Sequence, residues 1–140
     1  MTDRQILVSQ LIHHEGLRLK VYTDTVGKAT IGVGRNLTDK GITSAEAMLL
    51  LDHDVDECLH DLETFTWFAT LDAVRQRVLV DLRFNLGSLG LRNFRAMLHA
   101  FAVGDFETAA NEMLDSRAAQ QNMDRYHRLA RMTRTGEDEL

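Results

Sequence analysis

The chain has 140 residues, enough for one domain with a buried core, and its 44% hydrophobic and 26% charged residues exclude a disordered polymer. A formal net charge of −5 argues against a nucleic-acid binder, which normally carries a basic footprint. The single cysteine, Cys58, excludes an internal disulfide, no Cys/His cluster has zinc-ligand spacing, and neither a signal peptide nor a run of ~20 apolar residues is legible. The expectation is a folded, soluble monomer that neither inserts in membranes nor carries a metal or other cofactor.

Ile6, Leu7, Leu11 and Ile12 recur at helical spacing and predict a first helix over residues 3–14, stopped near Gly16. From Leu17 the pattern turns to alternation (Leu17, Leu19, Val21, then Ile31 and Val33), with Gly27, Gly32 and Gly34 at turn or bulge positions, which predicts two or three short antiparallel strands. Thr43 and Glu46 form a capping box ahead of a stripe of Met48, Leu51, Val55, Cys58 and Leu62, read as one buried helix face with Cys58 in the core. Thr70 is read as the cap of a further helix carrying Leu71, Val74, Val78 and Leu82 and ending at Gly87. Helices over 91–103 and 106–114 and an arginine-rich segment over 117–134 complete the order. Strands confined to the N-terminal part and helices elsewhere define an α+β protein.

Glu15 stands at the end of the first helix, where the macrodipole disfavours an anion, and a solvated carboxylate is its bland reading. Asp24 and Thr30 follow in the strand region. Two carboxylates on different elements suit glycoside hydrolysis, in which one donates a proton to the leaving oxygen and the other orients water or stabilises positive charge. Spacing alone does not show that they converge. Asp52, Asp54, Asp56 and Glu63 fall at positions of a calcium loop, but Glu57 stands where that loop needs glycine, so these acids read as a solvated helix face. His13, His14 and His53 are not read as metal ligands. The glycines match neither a dinucleotide nor a P-loop pattern. Arg125, Arg128, Arg131 and Arg134 trace a ridge that is either a solubilising face or a partner for a carboxylate and an anionic polymer.

The stretch "EGLRLKVYTDTVGKATIGVG" resembles the active-site segment of phage endolysins of the T-even lysozyme type. "ITSAEAMLLLDHDVD" resembles their long inter-lobe helix, "LDAVRQRVLVDLRFNLG" their central helix and "SRAAQQNMDRYHRLARMTRTG" their C-terminal helices, so the likeness covers nearly the whole chain. It implies one lysozyme-like catalytic domain over 1–140: a sheet lobe at about 17–42, an inter-lobe helix at about 44–63, and a helical lobe at about 70–135 that includes the first helix. It also implies a muramidase that hydrolyses the β-1,4 bond between N-acetylmuramic acid and N-acetylglucosamine. By position Glu15 would be the general acid, Asp24 the carboxylate that positions water, and Thr30 a residue that helps hold it. Phe84, Asn85, Arg117 and Gln121 would line the substrate groove, and Arg125 would lie against Glu15.

The chain departs from the family pattern at Arg35, where the family often has histidine, and an Arg35–Asp54 ion pair is expected to replace a His–Asp one. The loop "NLTDKG" is short, "SRAAQQ" lacks aromatics, and Met97 and Glu112 stand where small polar residues are usual. The resemblance implies an endolysin whose partner is the glycan strand of peptidoglycan, held in the host cytoplasm until a holin releases it to the periplasm for cytolysis. Two other readings stay open: a lytic transglycosylase, and a glycan-binding module with an idle trio.

Overall fold

In the computed structural model, which describes Met1 to Glu139, Thr2 opens α1 (Asp3–Glu15) through a reciprocal cap with Gln5. Gly16 ends it at φ +78, its N–H bonding Ile12 O at 2.8 Å. Three antiparallel strands follow in the order β1 (Arg18–Thr23), β2 (Ala29–Gly32) and β3 (Arg35–Asn36). Thr30 sits opposite Tyr22 on one side and Asn36 on the other, and an irregularity lies between Arg18 and Tyr22. The strands cluster near the N-terminus and the rest is mainly helical, which is the expected α+β, lysozyme-like class.

The chain divides into two compact units, Met1–Leu50 and Leu51–Leu140. The first holds α1, the sheet and the start of α2 (Ser44–Leu62). The capping box read from sequence opens α2: Glu46 Oε1 accepts from Thr43 N at 2.9 Å and Thr43 Oγ1 accepts from Glu46 N at 3.1 Å. The stripe expected to be buried along its whole length is buried only at its end, with Cys58 and Leu62 enclosed but Met48 and Leu51 exposed. Periodicity reports which face is apolar; how far it is covered depends on residues remote in sequence. Asp52, Asp54 and Asp56 lie within this uninterrupted helix.

The Arg35 guanidinium meets Glu46 twice, at 2.9 Å in each contact, and donates to Gly41 O at 3.3 Å. The expected Arg35–Asp54 pair is corrected accordingly: Glu46 stands in the first turn of α2, beside the short β3, and Asp54 two turns further along. Glu46 is held down at about 2, chiefly by the Arg35 hydrogen bond and then by the Thr43 backbone. A carboxylate that is lower when folded contributes stability above its unfolded value near 4.5 and loses it as pH falls towards about 2. Glu46→Gln should therefore lower the unfolding midpoint at neutral pH. In parallel denaturation curves the gap from the native protein should close across that acid window; an unchanged gap at pH 2 would contradict the pair's role.

In the second unit, Phe68–Thr70 forms a single 3₁₀ turn, and α3 (Ala73–Arg92), α4 (Arg95–Val103), α5 (Phe106–Leu114), α6 (Arg117–Gln121) and α7 (Met123–Thr135) follow. The cap of α3 is Asp72, whose side chain accepts from Arg75 N, and not Thr70 as read from the sequence. Thr70 is inside the 3₁₀ turn, and its hydroxyl donates to Trp67 O at 2.6 Å. Gly87, at φ +76 and ψ 173, breaks the helical path of α3, so the expected stop is a kink followed by a further turn. Leu62, Phe68, Val78, Leu79, Leu82, Leu91, Met97, Phe101, Ala109, Met113, Tyr126 and Leu129 form one continuous core. Asp61 ties its wall, receiving Arg83 Nε at 2.5 Å and Arg92 Nη1 at 2.8 Å.

Candidate active site

Within Met1–Leu50, the β1–β2 hairpin positions Asp24 and Thr30 through the backbone of one residue, Lys28. Asp24 Oδ1 accepts from Val26 N at 3.0 Å and from Lys28 N at 2.8 Å, closing an Asx-type turn. Asp24 N bonds Lys28 O at 2.9 Å, and the Thr30 hydroxyl donates to that same carbonyl at 3.0 Å. The Lys28 backbone thus orients both side chains, with Thr30 only 3% exposed. The proton of the Thr30 hydroxyl is committed to Lys28 O, so its oxygen offers lone pairs; Asp24 Oδ2 carries no hydrogen bond among the described residues.

Glu15, the last residue of α1, reaches the β2–β3 turn. There its carboxylate lies over Gly34, so close that a Cβ on that glycine would stand 2.8 Å from Glu15 Oε2. The three residues are therefore supported by neighbouring parts of one small sheet. Two supports escaped the sequence reading. The N–H and C=O of Lys28 are backbone and leave no residue-type signal, whereas Gly34 was read only as a turn.

In Leu51–Leu140, Phe84 and Arg125 line a shallow groove of about 470 Å³ with Leu51, Val55, Leu59, Arg77, Val80 and Asp81. Arg125, expected against Glu15, is engaged by Asp81 in its own unit, Nε donating to Oδ1 at 2.7 Å. Asn85 accepts from the buried Tyr126 hydroxyl at 2.8 Å. Burial pushes the Tyr126 phenol up, and this bond satisfies the proton it keeps. Arg117 and Gln121 open and close α6, both exposed, and neither joins Phe84 in the groove. Of the arginine ridge, Arg131 pairs with Glu139 and Arg134 with Glu107.

A small antiparallel sheet fed by a helix that ends in glutamate, with an aspartate at its first hairpin turn and a threonine on its second strand ahead of a helical unit, defines the lysozyme-like class of α+β proteins. The chain belongs to the phage lysozyme family, whose model matches residues 12–132. It is 31% identical to the pre-baseplate central spike protein of Enterobacteria phage T4 over 93% of its own length, and spans 28% of that protein. It is also similar to two proteins of Dictyostelium discoideum. Probable T4-type lysozyme 1 is 24% identical and 92% covered, and probable T4-type lysozyme 2 is 25% identical and 94% covered.

Proposed function

We propose that the protein is a lysozyme that hydrolyses the β-1,4 bond between N-acetylmuramic acid and N-acetylglucosamine in peptidoglycan. Glu15 donates a proton to the glycosidic oxygen as the bond breaks. Asp24 Oδ2 and the Thr30 oxygen accept hydrogen bonds from a water, and Asp24 takes its proton as it attacks the anomeric carbon. The observation that supports this most is the use of both backbone groups of Lys28, whose N–H fixes the aspartate and whose C=O turns the threonine into an acceptor. A water so held presents its own lone pair outward, as a nucleophile must. The residues of the second unit, Phe84, Asn85, Arg117, Gln121 and Arg125, are proposed as sugar contacts on the family resemblance.

Mass analysis of digested cell walls tests the reaction. Hydrolysis gives reducing ends that carry one added water; 1,6-anhydro ends would show a transglycosylase instead, because that reaction closes the ring without water. Asp24→Ala should cost activity and loosen the hairpin, whereas Asp24→Asn should cost activity while its side-chain oxygen still caps Val26 and Lys28. Amide-exchange protection of the hairpin separates the two effects.

In the cell, the proposed role is that of an endolysin that waits in the host cytoplasm for a holin and then cuts the periplasmic wall. The similarity to a pre-baseplate central spike protein favours a second route, in which the same wall-cutting domain acts from a phage particle. Immunodetection in purified particles, against the soluble fraction of infected cells, distinguishes the routes.

A further inference from the structure

We propose that Gly34 is a positioning residue for Glu15: its missing side chain is the shelf on which the carboxylate rests at the β2–β3 turn. This rests on the reading of Glu15 as the proton donor. Eight glycines of the chain have positive φ, and at six of them, Gly16, Gly27, Gly32, Gly41, Gly87 and Gly104, a Cβ would meet nothing within 4 Å. There the backbone angle alone accounts for glycine. At Gly34 a Cβ would stand 2.8 Å from Glu15 Oε2, 3.1 Å from Cδ and 3.3 Å from Cγ, so one carboxyl oxygen, its carbon and the adjoining methylene lie across it. Within Met1–Leu50 no hydrogen bond or ion pair engages that carboxylate, and the close approach to Gly34 is the contact that unit gives it.

A methyl group at residue 34 has one easy way out of this overlap. The neighbour is the free end of an exposed side chain, which moves at little cost, whereas the turn backbone does not. The displacement therefore falls on the proton donor. Misplacement of a reacting group by about 1 Å costs up to about 100-fold in rate.

The matched control is Gly41, which has the same φ of +64 and open space around its Cβ. Gly34→Ala and Gly41→Ala should lose similar thermal stability, because both force alanine into the left-handed region. On solubilised glycan fragments, Gly34→Ala should lose about 10- to 100-fold in kcat with KM within about twofold, while Gly41→Ala keeps native kinetics. Added to Glu15→Gln, Gly34→Ala should lower the residual rate no further, as expected when two residues act through one group. Equal kcat for the two alanine variants, or a loss confined to KM, would overturn the positioning role and leave the function reading intact. If Glu15→Gln itself keeps native activity, the reading of Glu15 falls, and this inference with it.

Discussion

The Glu15→Gln protein should fold like the native one and leave permeabilised cell walls almost intact, its rate on glycan fragments lowered by about 10²- to 10⁴-fold, the usual contribution of a positioned acid. The exchange conserves shape, so the amide still fits over Gly34. Stability should be unchanged or slightly higher. Glu15 closes α1 at its C-terminal end, where backbone carbonyls present negative charge, and neutralising an anion there removes an unfavourable interaction. Falling activity with steady or rising stability is the signature of a residue kept for chemistry. A variant that loses both would point to a folding role, and a variant that still clears walls would remove Glu15 from the reaction. The measurement is turbidity clearing beside thermal unfolding of the same preparations.

How much of this was legible beforehand follows from the kind of signal each feature leaves. The capping box at Thr43 and Glu46 is a local pattern with a local outcome, and α2 starts where that pattern puts it. The short helix over Phe106–Leu114 was equally readable at its start, since the left-handed Gly104 closes the helix before it and Asp105 caps it. Thr70 misled because Thr70 and Asp72 are both acceptable caps two residues apart. The choice was made by the 3₁₀ turn that consumes Thr70.

Pairing between distant residues was the least legible level. Arg35 has acids at Glu46 and Asp54 on one helix, and only the position of β3 selects Glu46. The pair of Arg125 with Asp81, 44 residues apart within the second unit, left no signal in the sequence. The same limit hid the shelf at Gly34. A glycine between two strands is sufficiently explained as a turn, and the carboxylate that lies on it comes from a helix that ended 19 residues earlier, at Glu15.

Arg75→Met should be the most destabilising single exchange of a charged residue in the second unit, at about 2–4 kcal/mol. The last carbonyls of a helix have no intrahelical donors, and Arg75 supplies two for α7: Nε to Thr133 O at 2.7 Å and Nη2 to Arg134 O at 3.1 Å. Its Nη1 pairs with Asp72 at 3.1 Å, and its guanidinium stacks 3.7 Å from the Phe106 ring centre. The side chain is 15% exposed, so water does not readily replace these bonds. One planar group thereby joins the starts of α3 and α5 to the end of α7. Arg75→Lys should recover less than half of the loss, because an ammonium cannot meet two carbonyls and lie flat on the ring together. Breaking the exposed Lys28–Asp39 pair, at 38% and 59% exposure, should by contrast cost no more than about 1 kcal/mol. Urea unfolding of the three variants checks the order. A loss for Arg75→Met as small as that of the surface pair would mean that water satisfies the α7 carbonyls as well as arginine does.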